Sequence, residues 1–235
     1  MMCSTFQIKR RGSGLSSWRV LFWWTFMMFV FRTLLVVFYR YKCHGGNHIP
    51  KTGSILFVAN HQSNFDPPIV GVLARDRPFR GIAKGALFES KLLGAFLHGF
   101  GVISIKHGES DVTAIRAAIK ELSAGRCVMM FPEGTRTKDG AIGKFQRGFW
   151  LLMKRSNAII LPIGLDGAYE CYPFGSKPKL RGWIEVAAGE PIEACDLLEM
   201  GEEDGTEYVR SRVEELRLQC RLSIDKRSNK NRCCT

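Results

Sequence analysis

The sequence predicts an α/β domain: a mainly parallel central sheet flanked by helices, with an apolar, membrane-associated helical segment at its amino end. Three observations carry that reading. From Gly45 onward, short apolar runs alternate with amphipathic stretches, the pattern produced when helices cover the faces of a sheet. The apolar runs are nearly continuous, as in strands buried on both sides. Ahead of them stands a dense aromatic and aliphatic stretch, 18–38.

The candidate strands are 54–59, 79–83, 102–106, 127–131, 158–163 and 183–187, short runs rich in β-branched and large apolar residues. The candidate helices are 67–74, 87–98, 111–124, 145–155 and 206–221. The first of these has a clear start, since Asp66 suits an N-cap and Pro67 the first helical position. The chain therefore divides into a membrane-anchoring segment over 1–44, a domain over 45–225 and a basic tail over 226–235. The first dozen residues and 226–232 read as loosely ordered charged ends.

The amino-terminal stretch is of borderline length for a bilayer span, which takes ~20 apolar residues. It is interrupted by Arg32 and Thr33 and flanked by cations on both sides, Lys9, Arg10 and Arg11 before it and Arg40 and Lys42 after it. A spanning helix has one strongly basic side. Two basic sides fit a helix, or a bent pair of helices, lying monotopically in one leaflet. A single span and a cleaved signal peptide are the alternatives, the latter without an A-x-A site.

Apolar residues make up 46% of the chain and charged residues 24%, which excludes wholesale disorder and a polytopic membrane protein. Lys and Arg total 34 against 22 Asp and Glu, a net charge of +12. That surplus asks for an anionic partner. The basic residues are dispersed, with no stacking-aromatic or helix-turn-helix signature, so no nucleic acid partner is expected. The eight cysteines form no C-x-x-C pair and no Cys/His metal pattern, so neither metal nor disulfide framework is expected. Cys233 and Cys234 do not make a prenylation box, which would need cysteine at Arg232. P-loop, dinucleotide-binding and nucleophile-elbow motifs are all missing.

Two segments carry chemistry. In Asn60-His61-Gln62-Ser63-Asn64-Phe65-Asp66 an apolar run stops at polar residues and a helix follows. His61 then lies at the carboxyl end of a strand, where ligands bind in open α/β sheets. Across a tight loop, the Asp66 carboxylate can turn back to an imidazole N–H, leaving the other nitrogen as a base. The plain alternative is a capping aspartate beside a loop histidine. In Phe131-Pro132-Glu133-Gly134-Thr135-Arg136 a buried strand runs into a turn. Gly134 permits close approach of a ligand, Thr135 offers a hydroxyl, and Arg136 offers a planar fork suited to phosphate. Its plain alternative is an ordinary turn with a solvated arginine.

Taken together and in this order, the two segments resemble the glycerolipid acyltransferases, most closely those that acylate 1-acyl-glycerol-3-phosphate. Gly101-Val102-Ile103-Ser104-Ile105-Lys106-His107 is similar to a further strand of that family, and Leu161-Pro162-Ile163 to another. The family's arginine in the former falls on His107, with Lys106 beside it. The resemblance implies acyl transfer without a covalent acyl-enzyme. His61 would take the proton from the sn-2 hydroxyl of lysophosphatidic acid, and Asp66 would orient His61. Glu133, Gly134, Thr135 and Arg136 would shape the acceptor site, with Lys106 and His107 adding charge. The acyl donor would be acyl-CoA or acyl-carrier protein, with no resident cofactor. An anionic membrane surface at the cytoplasmic face would hold the protein beside its lipid substrate. The same chemistry on a lyso-ornithine lipid or another lysophospholipid, and a silent membrane-binding module, are the alternative readings.

Overall fold

The computed structural model describes residues 17–74, 76–105 and 111–232. The strands are β1 (Lys42–His44), β2 (Ile55–Ala59), β3 (Phe79–Lys84), β4 (Ile103–Ile105), β5 (Cys127–Met130), β6 (Ile159–Asp166) and β7 (Glu185–Ala188). They form one seven-stranded sheet in the order β1-β7-β6-β2-β5-β3-β4. Neighbours run parallel except β6 and β7. The helices are α1 (Ser17–Tyr39), α2 (Asp66–Leu73), α3 (Lys91–Gly99), α4 (Asp111–Ser123), α5 (Arg147–Ser156), α6 (Ala168–Cys171), α7 (Ala194–Met200) and α8 (Glu202–Arg232).

β2 shows why the sheet is buried on both sides. Ile55, Phe57 and Ala59 project into one apolar layer with Trp24, Met28, Ile69 and Leu73 from α1 and α2. Leu56 and Val58 project into the other with Leu122, Phe149, Leu152 and Val213 from α4, α5 and α8. A period of two with apolar residues at every position leaves no solvent face.

α1 splits its apolar surface. Trp24, Met28 and Leu35 are buried against the domain, whereas Phe22, Phe26, Phe29, Val36 and Val37 face outward. Trp24 meets Phe79 and Phe100 edge-on, with ring centroids at 5.4 and 5.6 Å. A Cβ at Gly71 would come within 2.7 Å of Met28 Sδ, so the missing side chain in α2 lets α1 settle closely.

Several boundaries differ from expectation. Residues 42–44 belong to the sheet rather than the anchoring segment. β1 carries no apolar signal because its residues are exposed; pairing with β7 and a 3.0 Å bond from His44 to Glu185 hold it. The stretch 226–232, expected to be loose, continues α8 to Arg232. Ile224 is buried just before it, and within it Arg227 is tied to Glu185 and to the Arg40 carbonyl. Tertiary contacts thus order a segment whose composition reads as solvated. The short α6 and α7 add two helices beyond those the sequence predicts. The first dozen residues, Lys106, His107, Cys233 and Cys234 lie outside the described residues.

Candidate active site

β2 delivers the first functional side chain. Past Ala59, Asn60 takes over the ladder with its side chain: Nδ2 donates to the Leu165 carbonyl (3.0 Å), and Oδ1 accepts from the Leu165 N–H (2.9 Å). The backbone is then free to turn, and His61 opens the loop to α2. Asp66 is the first residue of that helix, and Phe65, not Asp66, occupies the N-cap. The Asp66 carboxylate bonds backward into the loop instead. Its Oδ2 accepts from His61 Nδ1 (2.7 Å), Gln62 N–H (2.6 Å) and Ser63 N–H (2.8 Å).

This arrangement fixes the imidazole. A carboxylate taking up two amide donors accepts a third from His61, so Nδ1 carries the proton and Nε2 has the free lone pair. The histidine ring stacks on Phe131 with centroids 4.0 Å apart and 9° between planes. The side chain is 19% exposed, while Asp66 is fully buried. Burial pushes the Asp66 carboxyl up from its ordinary value, and the bonds from His61, Ser63 and Gln62 oppose that push. Asp66 Oδ1 is buried with no hydrogen-bond partner among the described residues.

The second segment supports the first. β5 ends beside β2, and Glu133 reaches back under the histidine loop. Its Oε1 accepts from the His61 N–H and its Oε2 from the Gly143 N–H, both at 2.8 Å. The Thr137 N–H donates to the His61 carbonyl at 2.8 Å. The backbone of His61 is therefore clamped on both its polar groups. Glu133, expected among the acceptor-site residues, spends its oxygens on this clamp. Burial pushes its carboxyl up, against the two amide donors. Gly134 has φ +70°, the left-handed turn that glycine adopts without strain. Gly134 and Thr135 are exposed. The Arg136 guanidinium lies 4.3 Å from the centroid of the Phe174 ring and has no carboxylate partner among the described residues.

Residues 40–166, which contain both segments, match the family model described as Acyltransferase. The chain belongs to the acyltransferase family. It is 31% identical over 159 residues to a chloroplastic 1-acyl-sn-glycerol-3-phosphate acyltransferase of Arabidopsis thaliana, covering 66% of this chain and 44% of that one. It is 25% identical to the 1-acyl-sn-glycerol-3-phosphate acyltransferase of Streptococcus pneumoniae, covering 80% of this chain and 71% of that one. The crystal structure of the 1-acyl-sn-glycerophosphate acyltransferase of Thermotoga maritima shares the fold, with a TM-score of 0.71, 24% identity and coverage of 86% of this chain and 78% of that one. The chain spans a little under half the length of the first curated relatives it matches, 44% and 48%.

For an acyltransferase, the structure brings together His61, Asp66, Glu133 and Thr137, leaves Gly134 and Thr135 exposed on the turn that follows Glu133, and joins Arg136 to the 172–182 loop. Phe131 reads in sequence as the end of a strand, and nothing in its spacing marks it as the platform under His61. The 172–182 loop is likewise silent in sequence. It supplies Phe174 to Arg136, while the Tyr172 carbonyl accepts from the Ser63 hydroxyl at 2.9 Å. Interleaved Pro, Gly and Lys in that loop signal a turn, not a neighbour of the site.

Proposed function

We propose that this acyltransferase moves a fatty acyl group from a thioester to the sn-2 hydroxyl of lysophosphatidic acid, giving phosphatidic acid. The observation that supports this best is the buried Asp66 bonded to His61 Nδ1 at 2.7 Å. It leaves Nε2 available to take the hydroxyl proton. The resulting alkoxide adds to the thioester carbonyl. Collapse of the tetrahedral adduct breaks the C–S bond, and the thiolate receives the proton from the imidazolium. Asp66 holds the tautomer and offsets the imidazolium charge. Arg136, a cation without a carboxylate partner, suits the acceptor phosphate, with Gly134 and Thr135 on the same turn and Lys106 and His107 as further contributors. Acyl-CoA or acyl-carrier protein supplies the thioester, and the scheme draws on no other cofactor.

The outward apolar face of α1 supports membrane attachment. Phe22–Tyr39 is long and apolar enough to cross a bilayer. One side of this stretch is already covered by the domain, while Phe29 and Val37 are each 66% exposed on the other. Cover by the domain on one side and an apolar surface on the other favours attachment along one leaflet over a span. The +12 charge suits the anionic cytoplasmic surface.

The deciding experiment is thiol release from a long-chain acyl-CoA by the purified protein, with lysophosphatidic acid compared against other lysolipids. Release is expected with lysophosphatidic acid and is expected to fall ~10²–10⁴-fold in His61→Ala, the contribution of a positioned base. Release only with another lysolipid would move the headgroup. Near-normal turnover in His61→Ala would remove the histidine from the chemistry.

A further inference from the structure

Where α1 ends, Arg40 and Arg181 line an open recess of about 300 Å³ together with Val37 and Phe38. Neither arginine has a carboxylate partner among the described residues. The buried carboxylate of this region, Glu185, is taken by Arg227 and by His44. The Arg40 guanidinium is held 4.8 Å from the Trp183 ring centroid, and Arg227 sits at 4.8 Å from the same ring. A stacked, unpaired guanidinium is positioned to bind an anion at small entropic cost.

The recess is preformed. The Tyr39 hydroxyl donates to the Lys179 carbonyl (2.8 Å), the Gly182 N–H to Phe38 (3.2 Å) and the Ile184 N–H to Tyr39 (3.0 Å). These bonds satisfy carbonyls at the α1 terminus and fasten the 172–182 loop to it. Arg40 itself has φ +43°, and the Tyr41 N–H donates to the Leu35 carbonyl at 3.2 Å, a left-handed helix terminus that fixes where the Arg40 side chain leaves α1. The surroundings are apolar at one side and basic at the other. Val37 and Phe38 continue the outward face of α1, and Leu180, 79% exposed, stands between Lys179 and Arg181. An exposed leucine between cations suits the boundary between acyl chains and headgroups.

We propose that this recess binds the phosphate of an anionic bilayer phospholipid. Arg40 and Arg181 clasp the headgroup, and its acyl chains run along Val37 and Phe38. The bound lipid sets the depth at which α1 rests. A free phosphate would satisfy the arginines but would leave the exposed Val37, Phe38 and Leu180 beside them uncovered. The inference rests on α1 as the membrane-facing helix.

The test is flotation of the full chain with vesicles of phosphatidylcholine alone and of phosphatidylcholine mixed with phosphatidylglycerol. The wild type should partition into both, more strongly into the mixture. R40Q/R181Q should keep its binding to phosphatidylcholine and lose roughly tenfold to thirtyfold of the gain from phosphatidylglycerol. R40K/R181K, which keeps both charges but not the stacked planar fork, should lose a smaller but measurable part of that gain, which keeps the test decisive if the glutamine variant folds poorly. K154Q/R155Q, changed by the same charge on α5, should behave as wild type; an equal loss there would mean diffuse attraction and overturn the site. No preference for the anionic vesicles in the wild type would also overturn it. So would inorganic phosphate altering Trp183 emission, judged against W183F, in a protein without that preference, since the occupant would then come from solution. Failure to bind either vesicle would defeat the reading of α1 first and this proposal with it.

Discussion

Asp66 opens the helix that follows β2 and Asp166 ends the neighbouring parallel strand β6, and both are fully buried. Burial raises both carboxyls. Their partners separate them. Asp66 faces His61 and two backbone amides. Asp166 faces Arg217, at 2.9 Å, and Arg221, and these guanidiniums also bind Glu214 and Glu170. A guanidinium holds its protons permanently, so the Asp166 cluster is a closed electrostatic clamp between β6 and α8. An imidazole has a second nitrogen that can take up a proton and give it back. The same buried carboxylate thus serves chemistry in one place and architecture in the other, according to the partner set beside it.

The largest expected effect that separates them is on rate. Asp66→Asn replaces an obligate acceptor by a group that can present N–H to His61, favouring the wrong tautomer. Turnover should fall by ~10²–10⁴-fold, the scale of base catalysis, with far less change in melting temperature. A variant that melts early while keeping its rate per folded molecule would make Asp66 a clamp like Asp166. The converse variant is Arg217→Met. It leaves a fully buried Asp166 with one guanidinium fewer and should cost stability at the low end of ~3–5 kcal/mol, since Arg221 remains. Urea unfolding would show this, and thiol release per folded molecule should stay near normal.

Glu133 sharpens the contrast from between the two. Its oxygens hold backbone N–H groups of His61 and Gly143, without a cation. In Glu133→Gln one oxygen becomes a donor facing a donor, a loss of about 1–3 kcal/mol. The expected signature is a roughly tenfold lower kcat with little change in acceptor KM, since the clamp sets the position of His61. A change confined to KM would return Glu133 to the acceptor pocket.

These regions also differ in how far sequence displays them. His61 and Asp66 are legible because both partners sit within one short loop between a strand and a helix, and the chemistry needs their residue types. The central strands are legible because burial on both faces writes a continuous apolar run, as in β2. The Asp166 clamp is not, because Arg217 and Arg221 are 51 and 55 positions away in chain order and look like the solvated face of a charged helix. The clamp on His61 is hidden for a related reason: the groups it joins are backbone amides, which every residue has. The tail over 226–232 misleads for the same cause, since its order comes from Glu185 and Trp183 far away in sequence.

The smallest effect concerns pH. Asp166 is raised by burial, opposed by Arg221 and Arg217. A carboxyl raised on folding holds its proton more tightly in the fold than in the unfolded chain. Stability therefore falls as pH rises through the window from the ordinary aspartate value, about 3.9, up to the folded value, and stays lower above it. Glu185, Glu207 and Glu214 are lowered and act in the opposite sense, but they are common to wild type and variant and cancel in a difference. The wild type should therefore lose stability relative to Asp166→Asn as pH rises from about 4 to 7, measured by urea unfolding at successive pH values. A wild type that instead gains on the variant over that range would mean that the guanidiniums outweigh burial at Asp166. The two buried aspartates would then differ in the sign of their energetics as well as in their partners.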